Sequence, residues 1–172
     1  LAQGGLGKTQ FAVQTQHLLD SGENWDVMIC AGAAGGLDDR VSVGDVVIGT
    51  KTIEYDIYNK FGKPLLPEFS SAEDIVEEFK HIEMIDNSFR VHVGAIASGD
   101  EDIVDKARRR EVRELTGALA TGWEGVGGAR ASYFSDVPFV GIRGISDGAN
   151  ETGAQDFEKN LGLTMRNVAV VV

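Results

Sequence analysis

Val137-Pro138-Phe139-Val140-Gly141-Ile142-Arg143-Gly144-Ile145-Ser146-Asp147 is an apolar run that opens just before a proline's ring and ends on an acid. Residues 138–145 of it read as a strand, and its surroundings decide the fold. Downstream, the chain from Asp156 to the C-terminus carries an apolar face and reads as a helix. Upstream, 124–135 reads as a helix of small residues and 118–122 as the end of another strand. The alternation continues toward the N-terminus. Residues 102–115 are amphipathic and helical, 90–98 read as a strand, and Ser71 with Asp74 three positions on marks a helix start. Ile75, Phe79 and Ile82 form the apolar stripe of that helix. Residues 45–58, rich in β-branched and aromatic side chains, read as one or two strands. Asp26-Val27-Met28-Ile29-Cys30 is a short buried strand, and residues 31–36 read as a small-residue loop that brings backbone close to a bound molecule. Phe11, Thr15, Leu18 and Leu19 recur at helical spacing between a glycine turn, Gly4-Gly5-Leu6-Gly7-Lys8, and a stop at Ser21-Gly22. Strands alternating with helices predict an α/β fold, a three-layer α/β/α sandwich around a mixed central sheet. With no repeat, low-complexity tract or linker, residues 1–172 read as one domain.

The 172 residues can bury a sizeable core. Hydrophobic residues make up 42% and charged residues 25%, the balance of a globular chain rather than a disordered one. The net charge of −11 and isoelectric point near 4.6 argue against a nucleic-acid partner, because a phosphate backbone needs a basic footprint. Arg108-Arg109-Arg110 is followed by Glu111 and Glu114 and reads as a solvated helix face. No apolar run approaches the length of a membrane span, so no membrane partner is expected. A lone cysteine, Cys30, fits a reducing, cytoplasmic setting. His17, His81 and His92 are scattered, so no metal is expected, and nothing implies a cofactor. The sequence opens at Leu1 almost directly on the glycine turn, and a first strand is expected ahead of it.

Ala2-Gln3-Gly4-Gly5-Leu6-Gly7-Lys8-Thr9 comes within one glycine of the phosphate-binding loop G-x-x-x-x-G-K-[ST]. That loop also needs an apolar strand ending in an acid for magnesium. Here the next strand runs into Ala31-Gly32-Ala33-Ala34 instead. The favoured reading is a glycine turn that starts the first helix close to the sheet.

Three segments carry a more specific signal. The first joins Gly5-Leu6-Gly7-Lys8, Ala34-Gly35-Gly36-Leu37 and Val43-Gly44-Asp45-Val46-Val47-Ile48. The second is Ala97-Ser98-Gly99-Asp100. The third is Trp123-Glu124-Gly125 followed by the 137–147 run. In this order the series resembles the nucleoside phosphorylase and nucleosidase superfamily, specifically its methylthioadenosine/S-adenosylhomocysteine nucleosidase branch, over nearly the whole chain. The resemblance implies a small-molecule nucleoside as substrate and a homo-oligomer, often a dimer with its site near the interface.

The chemistry follows from the bond. Breaking an N-glycosidic link develops an oxocarbenium ion on the ribose and negative charge on the base, which leaves poorly until protonated. An acid at the end of a buried strand can donate to the purine N7, which makes Asp147 the candidate acid. The competing reading is an ordinary cap before Gly148. Glu124, at a strand-to-helix junction, can accept hydrogen bonds from both ribose hydroxyls and stabilise positive charge there. Its competing reading is a glutamate favoured by the helix dipole. Trp123 stands where the family has methionine beside the ribose and is expected to pack on the sugar or in the core. Ala33, Ala34 and Gly35 are expected to line the nucleophile side, with Ile103 and Ser146 completing the binding residues. Residues 31–36 offer a phosphate dianion no arginine or hydroxyl, so water is the expected nucleophile.

Departures from the family pattern mark the competing readings. Asp102 occupies a position where the family carries an aromatic residue against the base, and Gly122 one where it carries a second acid. The resemblance puts the water-activating glutamate upstream of the glycine turn. A phosphate-dependent phosphorylase is the nearest alternative, and a non-catalytic nucleoside-binding domain the alternative from another class.

Overall fold

The 137–147 run forms strand β6 (Phe139–Asp147), and its two-residue period assigns the helices to opposite faces. Val140 and Ile142 enter a core cluster with Val46, Ile48 and the helical Val168 and Val171. Phe139 joins another, with Cys30, Ala129 and Phe11. Helix α5 (Gly153–Val171) therefore covers one side of β6, while α1 (Gly7–Leu19) and α4 (Gly125–Phe134) cover the other. The computed structural model describes all residues except Glu23, Pro64 and 81–87. Ile82, expected in an apolar stripe, lies outside the described residues.

The remaining elements are β1 (Met28–Gly36), β2 (Val46–Glu54), β3 (Glu68–Ser70), α2 (Glu73–Lys80), β4 (Val91–Ser98), α3 (Lys106–Thr116) and β5 (Ala120–Gly122). The sheet order is β3-β2-β4-β5-β1-β6, and β2 also pairs with β6. The sheet thus curls until its far strand meets β2. It is mixed, as expected: β1 and β6, β2 and β4, and β4 and β5 run parallel, whereas β1 and β5, β2 and β3, and β2 and β6 run antiparallel. Residues 45–58 contribute one strand, β2. Val46, Val47 and Ile48 have no exposed surface, and fully burying each such side chain stabilises the fold by roughly 1.5–3 kcal/mol.

Two expectations need correction. Residues 31–36 are not a loop. They complete β1, whose residues from Met28 to Gly35 pair with β6, with one slip between Ala34 and Gly35. Alanine and glycine give no side-chain alternation, so only the partner strand reveals the extension. Helix α3 starts at Lys106 rather than 102, because Asp105 turns its carboxylate back to accept a 2.8 Å bond from the Arg108 backbone N–H. An aspartate that satisfies a free helical amide ends the upstream extension of the helix. Helices α1 and α4 cross with backbones nearly touching: a Cβ at Gly127 would lie 2.3 Å from the Lys8 carbonyl oxygen.

Candidate active site

The ends of β1, β5 and β6 converge on a cavity of about 1090 Å³. The expected site residues Ala33, Ala34, Gly35, Ile103, Trp123, Glu124, Ser146 and Asp147 all line it. They come from β1, the β4–α3 loop, the β5–α4 junction and β6.

Asp147 is the last residue of β6 and half-buried. The β1–β6 register slips by one at this point: Ala34 faces Ile145, but Gly35 faces Asp147. Such an irregularity re-aims the side chains beside it. One carboxylate oxygen accepts 2.8 Å bonds from the Ala149 N–H, the other from the Ser146 hydroxyl. Helix α5 begins later, after Thr152, so Asp147 is not its cap. Ser146 is fully buried, and its hydroxyl also lies 3.2 Å from the Ala34 carbonyl oxygen.

Glu124 sits between β5 and α4, in a junction pinned by the buried Ser98. That hydroxyl donates to the Trp123 carbonyl (2.9 Å) and accepts from the Val126 N–H (3.1 Å). Although Glu124 occupies the N-cap position of α4, its side chain makes no capping bond. Its carboxylate instead faces the Gly7 N–H at 3.4 Å and an Arg143 guanidinium nitrogen at 3.7 Å. Trp123 lines the cavity, and its indole N–H donates to the Glu101 carbonyl at 3.1 Å. Ile103 is buried, whereas Asp102 is exposed at the mouth.

Arg143 is a site residue that sequence reasoning missed. Its guanidinium is buried in the cavity wall and lies 3.2 Å from the Cys30 sulfur. Burial pushes the Cys30 thiol pKa up, against the opposing pull of the Arg143 charge. A Cβ at Gly32 would stand 2.5 Å from an Arg143 nitrogen, so glycine leaves the room that the arginine fills. A buried charge is costly without partners, and a lone arginine amid apolar Phe139 to Ile145 was the available signal. Thr121, Phe157 on α5 and Gln10 and Gln14 on α1 also face the cavity without any sequence motif.

The glycine turn takes no phosphate-loop arrangement. Lys8 reaches Glu54 at 3.0 Å and Asp56 at 2.5 Å, and Arg130 also binds Glu54. Burial works against the Lys8 charge, but its bonds to Asp56 and Glu54 outweigh that and raise its pKa. The Lys8 N–H, where a phosphate would dock, donates to the Asp100 carboxylate at 2.8 Å.

A family model described as "Phosphorylase superfamily" matches residues 1–172. The chain belongs to the phosphorylase superfamily. Within it, the chain is 32% identical over 160 residues to the 5'-methylthioadenosine/S-adenosylhomocysteine nucleosidase of Thermotoga maritima, covering 93% of this chain and 70% of that one. It is 32% identical over 180 residues to the enzyme of the same name from a Marinomonas species, covering 100% and 78%. The Neisseria meningitidis nucleosidase solved with methylthio-immucillin-A superposes with a TM-score of 0.88 at 32% identity, over 99% of this chain and 77% of that one. The Colwellia psychrerythraea nucleosidase solved with adenine gives 0.87 at 28% identity, over 98% and 73%.

Proposed function

We propose that this superfamily member is a nucleosidase that hydrolyses the N-glycosidic bond of a purine ribonucleoside of the methylthioadenosine/S-adenosylhomocysteine type. The observation that carries this reading is the pair Asp147 and Glu124: two carboxylates lining one cavity, Asp147 held by a hydroxyl and a backbone N–H, and Glu124 facing the Arg143 guanidinium at 3.7 Å. As the C1′–N9 bond breaks, its electron pair passes to the base. Asp147 acts as the general acid and donates a proton to N7, turning the purine into a workable leaving group. Glu124 accepts from the ribose hydroxyls and stabilises the positive charge on the sugar, with Arg143 fixing its orientation. Water adds to C1′, releases a proton to solvent and leaves the sugar with a free hydroxyl. The small side chains of Ala33, Ala34 and Gly35 leave room for that approach.

Charge favours water over phosphate as the nucleophile. Among the described residues the cavity is lined by Glu101, Asp102, Glu124, Asp147 and Glu158 against a single cation, Arg143. Arg143 already faces Glu124 and Cys30. Residues 31–36 supply neither an arginine nor a hydroxyl, and their backbone pairs with β6 along one side and, at Gly35 and Gly36, with β5 on the other. A phosphate dianion would meet net repulsion there.

The protein also acts as a homo-oligomer in the cytoplasm in this reading. Leu6, Val104 and Phe157 form an exposed apolar rim at the cavity mouth, which suits closure by a second copy. Sedimentation velocity showing only monomer at micromolar concentration would remove the oligomer from the reading.

The deciding assay incubates the protein with methylthioadenosine, adenosine and inosine, with and without phosphate, and separates base and sugar by chromatography. Free sugar without phosphate supports hydrolysis. Sugar 1-phosphate formed only with phosphate would make it a phosphorylase. Binding without release would leave a nucleoside-binding domain.

A further inference from the structure

The wall of the cavity beside Asp147 is a loop. Residues 99–105 belong to no helix or strand, yet they carry Ile103, buried against the cavity, and Asp102 and Val104 at its mouth. Ile103 is close to the proposed acid: a Cβ at Gly153 would stand 3.5 Å from an Asp147 oxygen and 4.0 Å from the Ile103 carbonyl oxygen. A segment without regular structure holds such a position only if something outside it restrains it.

That restraint is a two-sided grip on Glu101. Both oxygens of its carboxylate are taken by Arg108, through Nε at 2.8 Å and Nη2 at 2.7 Å. This paired geometry fixes direction as well as distance. Its carbonyl accepts the Trp123 indole N–H at 3.1 Å, and Trp123 is itself anchored by Ser98. Arg108 is immobilised in turn. Its remaining terminal nitrogen meets Glu111 at 2.8 Å, its guanidinium lies 5.7 Å from the centre of the Tyr55 ring, and its backbone N–H is bonded to Asp105. Its bonds to Glu101 and Glu111 raise its pKa against the effect of partial burial. Arg108 does not line the cavity.

We propose that Arg108 is a positioning residue for the purine base: by gripping Glu101 it holds the Ile103 wall against the base while touching no substrate itself. This rests on the nucleosidase reading of the cavity. The sequence presented Arg108 as part of a solvated basic face, and the structure gives it this second task.

The test compares wild type with Arg108→Gln, Glu101→Gln, the double variant and Arg108→Lys. KM and kcat are measured on methylthioadenosine, and dissociation constants for adenine and for methylthioribose by titration calorimetry. Because the pair is about a third exposed, the expected weakening for adenine in Arg108→Gln is about tenfold. KM should rise with it, kcat should change less, and methylthioribose should bind as before. The double variant should lose no more than either single one, because the grip works as a unit, and Arg108→Lys should recover part of the loss. Equal weakening for adenine and methylthioribose, additive losses in the double variant, or unchanged adenine binding would each overturn the proposal. Hydrogen exchange at residues 101–104, followed without ligand, separates it from the nucleosidase reading. Faster exchange in Arg108→Gln supports the grip even if no nucleoside is cleaved, and unchanged exchange overturns it even if cleavage is normal.

Discussion

Glu54 and Glu124 both meet residues at the start of α1 and are treated in opposite ways. Glu54 is held by Lys8 and Arg130. Among the described residues, Glu124 meets the Gly7 N–H at 3.4 Å and, at 3.7 Å, a guanidinium shared with a cysteine. Adjacent residues of one turn, Gly7 and Lys8, thus touch one carboxylate loosely and the other firmly. The firmly held acid ties β2 to α1 and α4, while the loosely held one keeps acceptor capacity for a ligand. Asp38 and Asp147 repeat the contrast. Asp38 is bound by Arg40 and Arg113, whereas Asp147, among the described residues, accepts from a hydroxyl and a backbone N–H. In both pairs the acid proposed for chemistry is the one that cations hold less tightly.

Substitutions that erase single carboxylates test this division. Asp147→Asn should have the largest effect, lowering kcat by about 10³-fold, as expected for loss of a general acid, with the melting temperature nearly unchanged. Near-wild-type turnover would end the role of Asp147 as proton donor. Glu124→Gln should cost about 10²-fold in kcat, with folding again intact. If it lowered stability instead of turnover, the two glutamates would not differ in kind. Glu54→Gln should do the reverse: about 2 kcal/mol of stability lost, because two cations remain partly buried without their partner, and turnover retained. Urea unfolding alongside the nucleoside assay reads both quantities.

Asp38→Asn should have the smallest effect, and one that depends on pH. Hydrogen bonds from Arg40, aided by Arg113, hold its carboxyl pKa well below the usual range despite partial burial. A lowered folded-state pKa stabilises the protein above the unfolded value, near 4, and this contribution is lost as pH falls through the folded one. The variant should therefore be about 1 kcal/mol less stable at neutral pH, the gap closing below about pH 4. Acid titration by circular dichroism checks it, and a gap that widened on acidification would contradict the assignment.

The sequence made the α/β alternation and the eight cavity residues legible, because these are properties of short runs: an apolar strand ending in Asp147, a junction at Trp123 and Glu124, a stretch of alanine and glycine. What it hid depends on partners distant along the chain. Residues 31–36 look like a loop because strand character there comes from pairing with β6. The three residues of β3 carry too little pattern to announce a strand, and they form one by lying against Lys51, Thr52 and Ile53. Arg143 was visible as a charge within an apolar strand, but its use requires the space above Gly32. Arg108 was read with its basic neighbours, since nothing local shows that Glu101 lies within reach of its fork.

The meeting of β6 with β2 has a consequence beyond the site. With β2, β4, β5, β1 and β6 joined in a circuit, β3 is the outermost strand of the described sheet. A strand's open side is where foreign chains add and where fibrillar growth starts. Here that side amounts to Glu68, Phe69 and Ser70, opened by a charge and with the Phe69 ring engaged by Arg130 and Tyr133. At this end of the sheet the molecule therefore shows its surroundings very little backbone to copy.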